Sequence, residues 1–134
     1  MVLAARRVAD ERDVDVLTQA RNQALRASIQ EAATALVDVL PVKIAAYTVG
    51  VKDVKTLNRW ASGQVTDIRA ESESRLRAAY EILLLLLRFD AAETVRAWFI
   101  GMAPELDDVS PARAIHDGRL QEAMGAARAF AANG

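Results

Sequence analysis

The sequence predicts an all-α protein. Alanine, the strongest helix former, supplies 27 of the 134 residues, whereas the chain has only 6 glycines and 3 prolines. Apolar residues recur at spacings of three and four, which is the period of one buried helix face. We find no convincing strand. The length predicts one domain, or two very small ones that share a core.

The composition excludes several functional classes. The chain has no cysteine, so it carries no disulfide, thiolate metal site, iron–sulfur cluster or cysteine nucleophile. Its single histidine, His116, argues against a histidine-rich metal site. The longest apolar run, residues 82–87, is far shorter than the about 20 residues that span a bilayer. We therefore expect a cytoplasmic protein that is not an enzyme, with no cofactor, metal or membrane partner.

The N-terminal part predicts one long helix. Residues 1–15 form a charged segment that frays, and residues 16–40 carry a continuous apolar stripe. Pro41 ends this helix and suits the first turn of the next, which covers residues 41–47. Gly50 marks a turn. Asp53 is the expected N-cap of a helix over residues 54–62, and Gly63 its expected C-cap.

The C-terminal part predicts four more helices and a loop. Ser72 is the expected cap of a helix that ends at Arg88, whose all-round apolar run fits a central helix or a dimer interface. Residues 90–93 match a capping box before a helix that ends at Gly101. A loop covers residues 104–109. Ser110-Pro111 then opens a short helix capped by Gly118, and a last helix starts near Arg119.

The charge is unevenly distributed although the net charge is −1. Residues 41–77 carry seven basic and four acidic side chains, whereas residues 78–134 carry five basic and eight acidic ones. A basic segment points to a polyanionic partner.

We divide the chain into residues 1–15, an N-terminal unit over 16–70 and a C-terminal helical unit over 71–134.

Two short helices joined by a glycine-containing turn predict a helix-turn-helix. Its second helix would lie in the major groove of DNA, with Leu57 and Trp60 (or Ala61) facing inward. The polar residues left for DNA are Lys52, Lys55, Thr56, Asn58, Arg59 and Ser62. Asparagine and arginine can bond base edges in pairs of hydrogen bonds, while lysine, threonine and serine suit phosphates.

The same residues resemble the Xre-type helix-turn-helix. Small residues, Ala45-Ala46, lie in the first helix, and Gly50-Val51 opens the turn. The run Thr56-Leu57-Asn58-Arg59-Trp60-Ala61-Ser62-Gly63 is similar to the family's recognition helix. The turn here is one residue longer, because Lys52 precedes the capping Asp53.

Residues 98–130 resemble the C-terminal domain of Xre/MbcA/ParS-like antitoxins. The likeness lies in Trp98-Phe99, in a Pro-x-Leu loop and in the Ser110-to-Gly118 box before an alanine-rich final helix. It implies an antitoxin that binds a RES-domain toxin that degrades NAD⁺. We expect the protein also to repress its own operon by binding operator DNA as a homodimer, because helix-turn-helix proteins usually read two half-sites. The final helix and tail would block the toxin's active site. The implied toxin-binding residues are Arg113, His116, Arg119, Arg128, Phe130 and Gly134.

Other interpretations remain open at this point. The chain could be a transcriptional regulator without a toxin partner, or an interaction module whose helix-turn-helix no longer binds DNA. Ser110, Pro111 and Gly118 are also explained as helix punctuation alone. His116 has no nucleophile beside it, so a polar residue near a helix end is the better interpretation. The acidic residues Glu105, Asp107 and Asp108 match no calcium loop, so they are better interpreted as solvated carboxylates.

Overall fold

The computed structural model describes residues 11–133, and all the regular elements in that range are helical. The α-helices are α1 (Glu11–Arg26), α2 (Ile29–Val39), α3 (Val42–Val49), α4 (Val54–Ala61), α5 (Ala70–Leu87), α6 (Ala92–Ile100), α7 (Pro111–His116) and α8 (Leu120–Asn133). A short 3₁₀ helix covers Pro104–Leu106. The all-α prediction is confirmed for this part of the chain. No helix in it is both long enough and apolar enough to cross a membrane.

The predicted continuous helix over residues 16–40 is wrong, because the chain breaks between α1 and α2. Ser28 caps α2: its hydroxyl accepts a hydrogen bond from the Glu31 amide at 3.0 Å, and the Glu31 carboxylate accepts one from the Ser28 amide at 2.9 Å. This reciprocal pair is a capping box. The apolar stripe runs through the break and conceals it. Residues 1–10 of the predicted charged segment lie outside the described residues, and residues 11–15 begin α1.

Helix α5 lies at the centre of the fold. It packs against α1, α2, α3, α6, α7 and α8, which explains why its surface is apolar on more than one side. Within the apolar run 82–87, four of the six side chains are buried, so a central position accounts for the run. Arg77 ties α5 to α1, since its guanidinium donates to the carbonyl oxygens of Ala24 and Ala27 at 2.9 and 2.7 Å.

Two predicted helix caps are wrong. Helix α5 begins at Ala70 after Arg69, which provides no side-chain cap, and Ser72 is buried in the first turn. Helix α6 has Ala91 as its N-cap, again without a side-chain hydrogen bond, so residues 90–93 do not form the predicted capping box. Tertiary packing, rather than a cap, therefore fixes both starts.

The C-terminal boundaries follow the prediction closely. The Ser110 hydroxyl accepts a hydrogen bond from the Arg113 amide at 3.0 Å, and Pro111 occupies the first position of α7. The C-cap of α7 is Asp117, one residue before the predicted Gly118. Gly118 has a φ of 84°, which allows the chain to turn into α8. Side chains from both predicted units, 16–70 and 71–134, contribute to one continuous hydrophobic core.

Candidate functional site

Helices α3 and α4 are joined by a four-residue turn, which begins and ends at the predicted residues. Gly50 ends α3 in the left-handed conformation, with a φ of 78°. Asp53 caps α4, and its carboxylate accepts hydrogen bonds from the Thr56 amide and hydroxyl, both at 3.0 Å. These bonds hold the pKa of Asp53 below its ordinary value. The predicted Asp53 cap is confirmed, while the C-cap is Ser62, one residue before the predicted Gly63.

The inner face of α4 is anchored in the core. Leu57 and Trp60 are 0% and 4% exposed, as predicted, and Ala61 is half-buried. The Thr34 hydroxyl of α2 donates to the Ala61 carbonyl at 3.1 Å. The helix consequently has one fixed orientation, with its opposite face towards solvent.

The outer face of α4 collects the predicted DNA-binding residues. Lys52, Lys55, Asn58, Arg59 and Ser62 are exposed, and Thr56 is half-buried. Two bonds on this face are local: the Arg59 guanidinium donates to the Thr56 hydroxyl at 3.4 Å, and the Ser62 hydroxyl donates to the Arg59 carbonyl at 3.0 Å. Among residues 11–133, no salt bridge involves Lys52, Lys55 or Arg59. Their charges are available to an external anion.

Two of the residues implied as toxin-binding, His116 and Arg119, make contacts within the chain. The His116 ring stacks on Tyr47 with ring centres 4.1 Å apart, and its Nδ1 lies 2.6 Å from the Tyr47 carbonyl oxygen. The Arg119 guanidinium pairs with Glu122 at 2.8 Å and with Asp107 at 3.1 Å. The bond with Arg119 lowers the pKa of Glu122. Both side chains therefore hold the fold together.

The remaining members of that set point in different directions. Arg113 is exposed and lies 3.5 Å from Asp117. Arg128 lines a cleft between α8, α1 and α5, whereas Phe130 lies on another side of α8, with its ring centre 6.1 Å from that of Trp98. Gly134 lies outside the described residues. The structure does not bring the set together into one site.

An apolar groove beside Phe130 was missed by sequence reasoning. It has a volume of about 310 Å³ and is lined by Trp98, Met102, Pro104 and Phe130, among others. Met102 is 80% exposed, the highest value among the large apolar residues that are exposed in residues 11–133. It lies in a non-helical connection, so no periodic pattern identifies it. The sequence feature that could have indicated the groove is the neighbouring Trp98-Phe99 pair.

No cluster of three or more histidine or carboxylate side chains is arranged to hold a metal ion among residues 14–133, whose side chains the structure describes. Of the acidic residues 105–108, Asp107 is paired with Arg119.

Comparison of the chain with family models, with curated proteins and with solved structures gave no match.

Proposed function

We propose that this protein is an antitoxin that also represses its own operon, binding DNA through the outer face of α4. In this proposal α3 and α4 form a helix-turn-helix, and a homodimer reads two half-sites about one helical turn apart. The C-terminal helices bind a RES-domain toxin and block its NAD⁺-degrading site. The family resemblance of residues 98–130 supports the toxin half of the proposal.

The observation that supports DNA binding is that α4 has one buried apolar face and one exposed polar face. Its inner face is anchored by Leu57 and Trp60, while Lys55, Asn58 and Arg59 stand together on the exposed face. Asparagine and arginine at this spacing can contact adjacent base edges, and lysine can contact a phosphate. A helix with one anchored side and one polar, cationic side is what major-groove reading requires.

The DNA half is tested with the triple variant K55A/N58A/R59A and the duplex upstream of the protein's own gene. The matched control, R21A/N22A/R88A, removes the same two charges and one amide from exposed positions on α1 and after α5. We expect the α4 variant to lose about ten- to a hundredfold in affinity and the control to bind as wild type does. Equal affinity for both variants would place the DNA contact elsewhere.

The toxin half is tested by growth. The neighbouring open reading frame is expressed alone and with this protein, while growth and cellular NAD⁺ are followed. We expect toxicity, a fall in NAD⁺ and rescue of both. The groove variant M102S/F130S should lose rescue, whereas K55A/N58A/R59A should keep it. A harmless neighbour, or a toxic one that this protein does not neutralise, contradicts the antitoxin proposal.

A second candidate is a helix-turn-helix regulator without a toxin partner. The contacts of His116 with Tyr47 and of Arg119 with Asp107 and Glu122 favour this candidate. Residues that already have partners within the chain need no toxin to explain their presence. This candidate predicts promoter binding without any rescue of growth.

A further inference from the structure

A polar cleft separates the start of α4 from the start of α5. Its volume is about 250 Å³, and Lys52, Thr56, Arg69 and Ser72 are among the residues that line it. It adjoins the exposed face of α4. Five of its eight lining residues belong to the turn before α4 or to α4 itself, and three, Asp67, Arg69 and Ser72, belong to the chain that leads into α5 and to its first turn. Only Lys52 and Thr56 are shared with the predicted DNA-binding set.

The two helix starts beside this cleft differ in how they are capped. The first turn of α4 is capped by the Asp53 carboxylate. In contrast, Arg69 gives α5 no side-chain cap. The first amides of an α-helix have no partner within the helix, and the helix dipole makes this end favourable for an anion. The start of α5 is thus a set of donors without a protein acceptor.

Ser72 adds an unusual hydroxyl group to these donors. The buried polar residues described are Thr48 and Ser72. The Thr48 hydroxyl donates to the Ile44 carbonyl at 2.7 Å, whereas the Ser72 hydroxyl has no hydrogen-bond partner within residues 11–133, although its residue is only 6% exposed. No fully buried side-chain polar atom in that range lacks a partner. The Ser72 oxygen must therefore retain access to the cleft that its residue lines.

The residues that line the cleft carry one net positive charge, from two cations and one carboxylate. Lys52 and Arg69 line it, and Asp67 is the carboxylate among its lining residues. Of the acidic residues in the first turn of α5, Glu73 is paired with Arg77 at 2.9 Å on the side facing α1, and Glu71 is exposed. Two cations, a free hydroxyl and uncapped amides form the donor set that binds a phosphate group.

We propose that this cleft binds a phosphate group, supplied by the DNA backbone beside the bases that α4 reads. The DNA source rests on the proposed function, whereas the phosphate chemistry does not. A phosphate held here would fix the position of α4 on the duplex without reading sequence. A free phosphorylated small molecule is the other source of the same chemistry.

The first arm of the test uses duplex DNA, with S72A and R69Q against the controls S74A and R88Q. Affinity is measured over a range of KCl concentrations for the promoter duplex and for an unrelated duplex. We expect R69Q to reduce the slope of log affinity against log salt by about 0.9, because one phosphate contact is lost. S72A should weaken both duplexes equally, by about three- to tenfold.

The second arm uses inorganic phosphate and ¹⁵N-labelled protein. We expect saturable shifts of the amide signals of residues 70–72 with phosphate, absent with chloride at the same ionic strength and reduced in S72A. If the wild type binds no DNA but these shifts appear, the DNA half of the proposed function fails and the phosphate site stands with a free ligand. If phosphate shifts none of these amides and neither substitution exceeds its control on DNA, the inference is overturned.

Discussion

The outer face of α4 and the C-terminal surface contrast in how their predicted residues are used. On α4 and the turn before it, Lys52, Lys55 and Arg59 are exposed and form no salt bridge within residues 11–133. In the C-terminal part, His116 is stacked on Tyr47, and Arg119 is paired with two carboxylates. The first set is free to meet a partner, whereas much of the second set already stabilises the fold.

This contrast follows from the range of the interactions involved. A single helix of fixed period decides which side of α4 is exposed, so the sequence is sufficient to predict it. The C-terminal set spans two helices and a loop, and its contacts reach other elements: His116 meets a residue 69 positions away. Residue type alone cannot separate a binding residue from one that ties two helices together.

The largest expected effect separates the two faces of α4. Trp60→Ala removes a nearly buried indole from between α4 and the core, and we expect it to lower the free energy of unfolding by about 3–5 kcal/mol. Lys55→Ala on the opposite face should change it by less than about 0.5 kcal/mol. Urea unfolding followed by circular dichroism measures both, and similar losses for the two variants would contradict the assigned orientation.

A smaller effect tests whether His116 is structural. His116→Ala removes the stack on Tyr47 and the contact with its carbonyl, which should lower the free energy of unfolding by about 1–2 kcal/mol. Arg113→Ala, at an exposed position of the same helix, is the control and should cost less than about 0.5 kcal/mol. If His116→Ala unfolds like the control but loses toxin binding, His116 belongs to a binding surface instead.

The smallest expected effect concerns Glu81, which lines the same cleft as Arg128. Burial raises the pKa of Glu81, and attraction to Arg21 and Arg128 only partly offsets this. A carboxyl whose folded pKa is raised gives stability at low pH that is lost as pH rises through that pKa. Glu81→Gln should therefore stabilise the fold at pH 7, by less than about 1 kcal/mol.

The advantage of Glu81→Gln should shrink as pH falls and Glu81 becomes protonated. Thermal unfolding between pH 3 and pH 7 measures it, with Glu93→Gln on the exposed side of α6 as the control. A loss of stability at pH 7 would show that the attraction of Glu81 to Arg21 and Arg128 outweighs its burial.

The sequence predicted the features that local chemistry decides. The caps at Asp53 and Ser110 and the inward positions of Leu57 and Trp60 are all present. The central place of α5 is one of the two positions that its apolar run predicts, the other being a dimer interface. The break at Ser28 was missed because an apolar stripe continues through it. Ser72 is not the predicted cap of α5. Packing against neighbouring elements places it in the first turn of the helix and buries it, and the sequence does not show this packing.

Hydrogen exchange of the amides, with and without the promoter duplex, tests the central claim most directly. It reports every surface at once and needs no substitution. The account predicts protection on DNA binding in residues 52–62 and 70–72, with residues 111–133 unchanged. Protection confined to α7 and α8, or none on α4 when DNA is bound, would contradict the claim that the outer face of α4 is the DNA-binding surface.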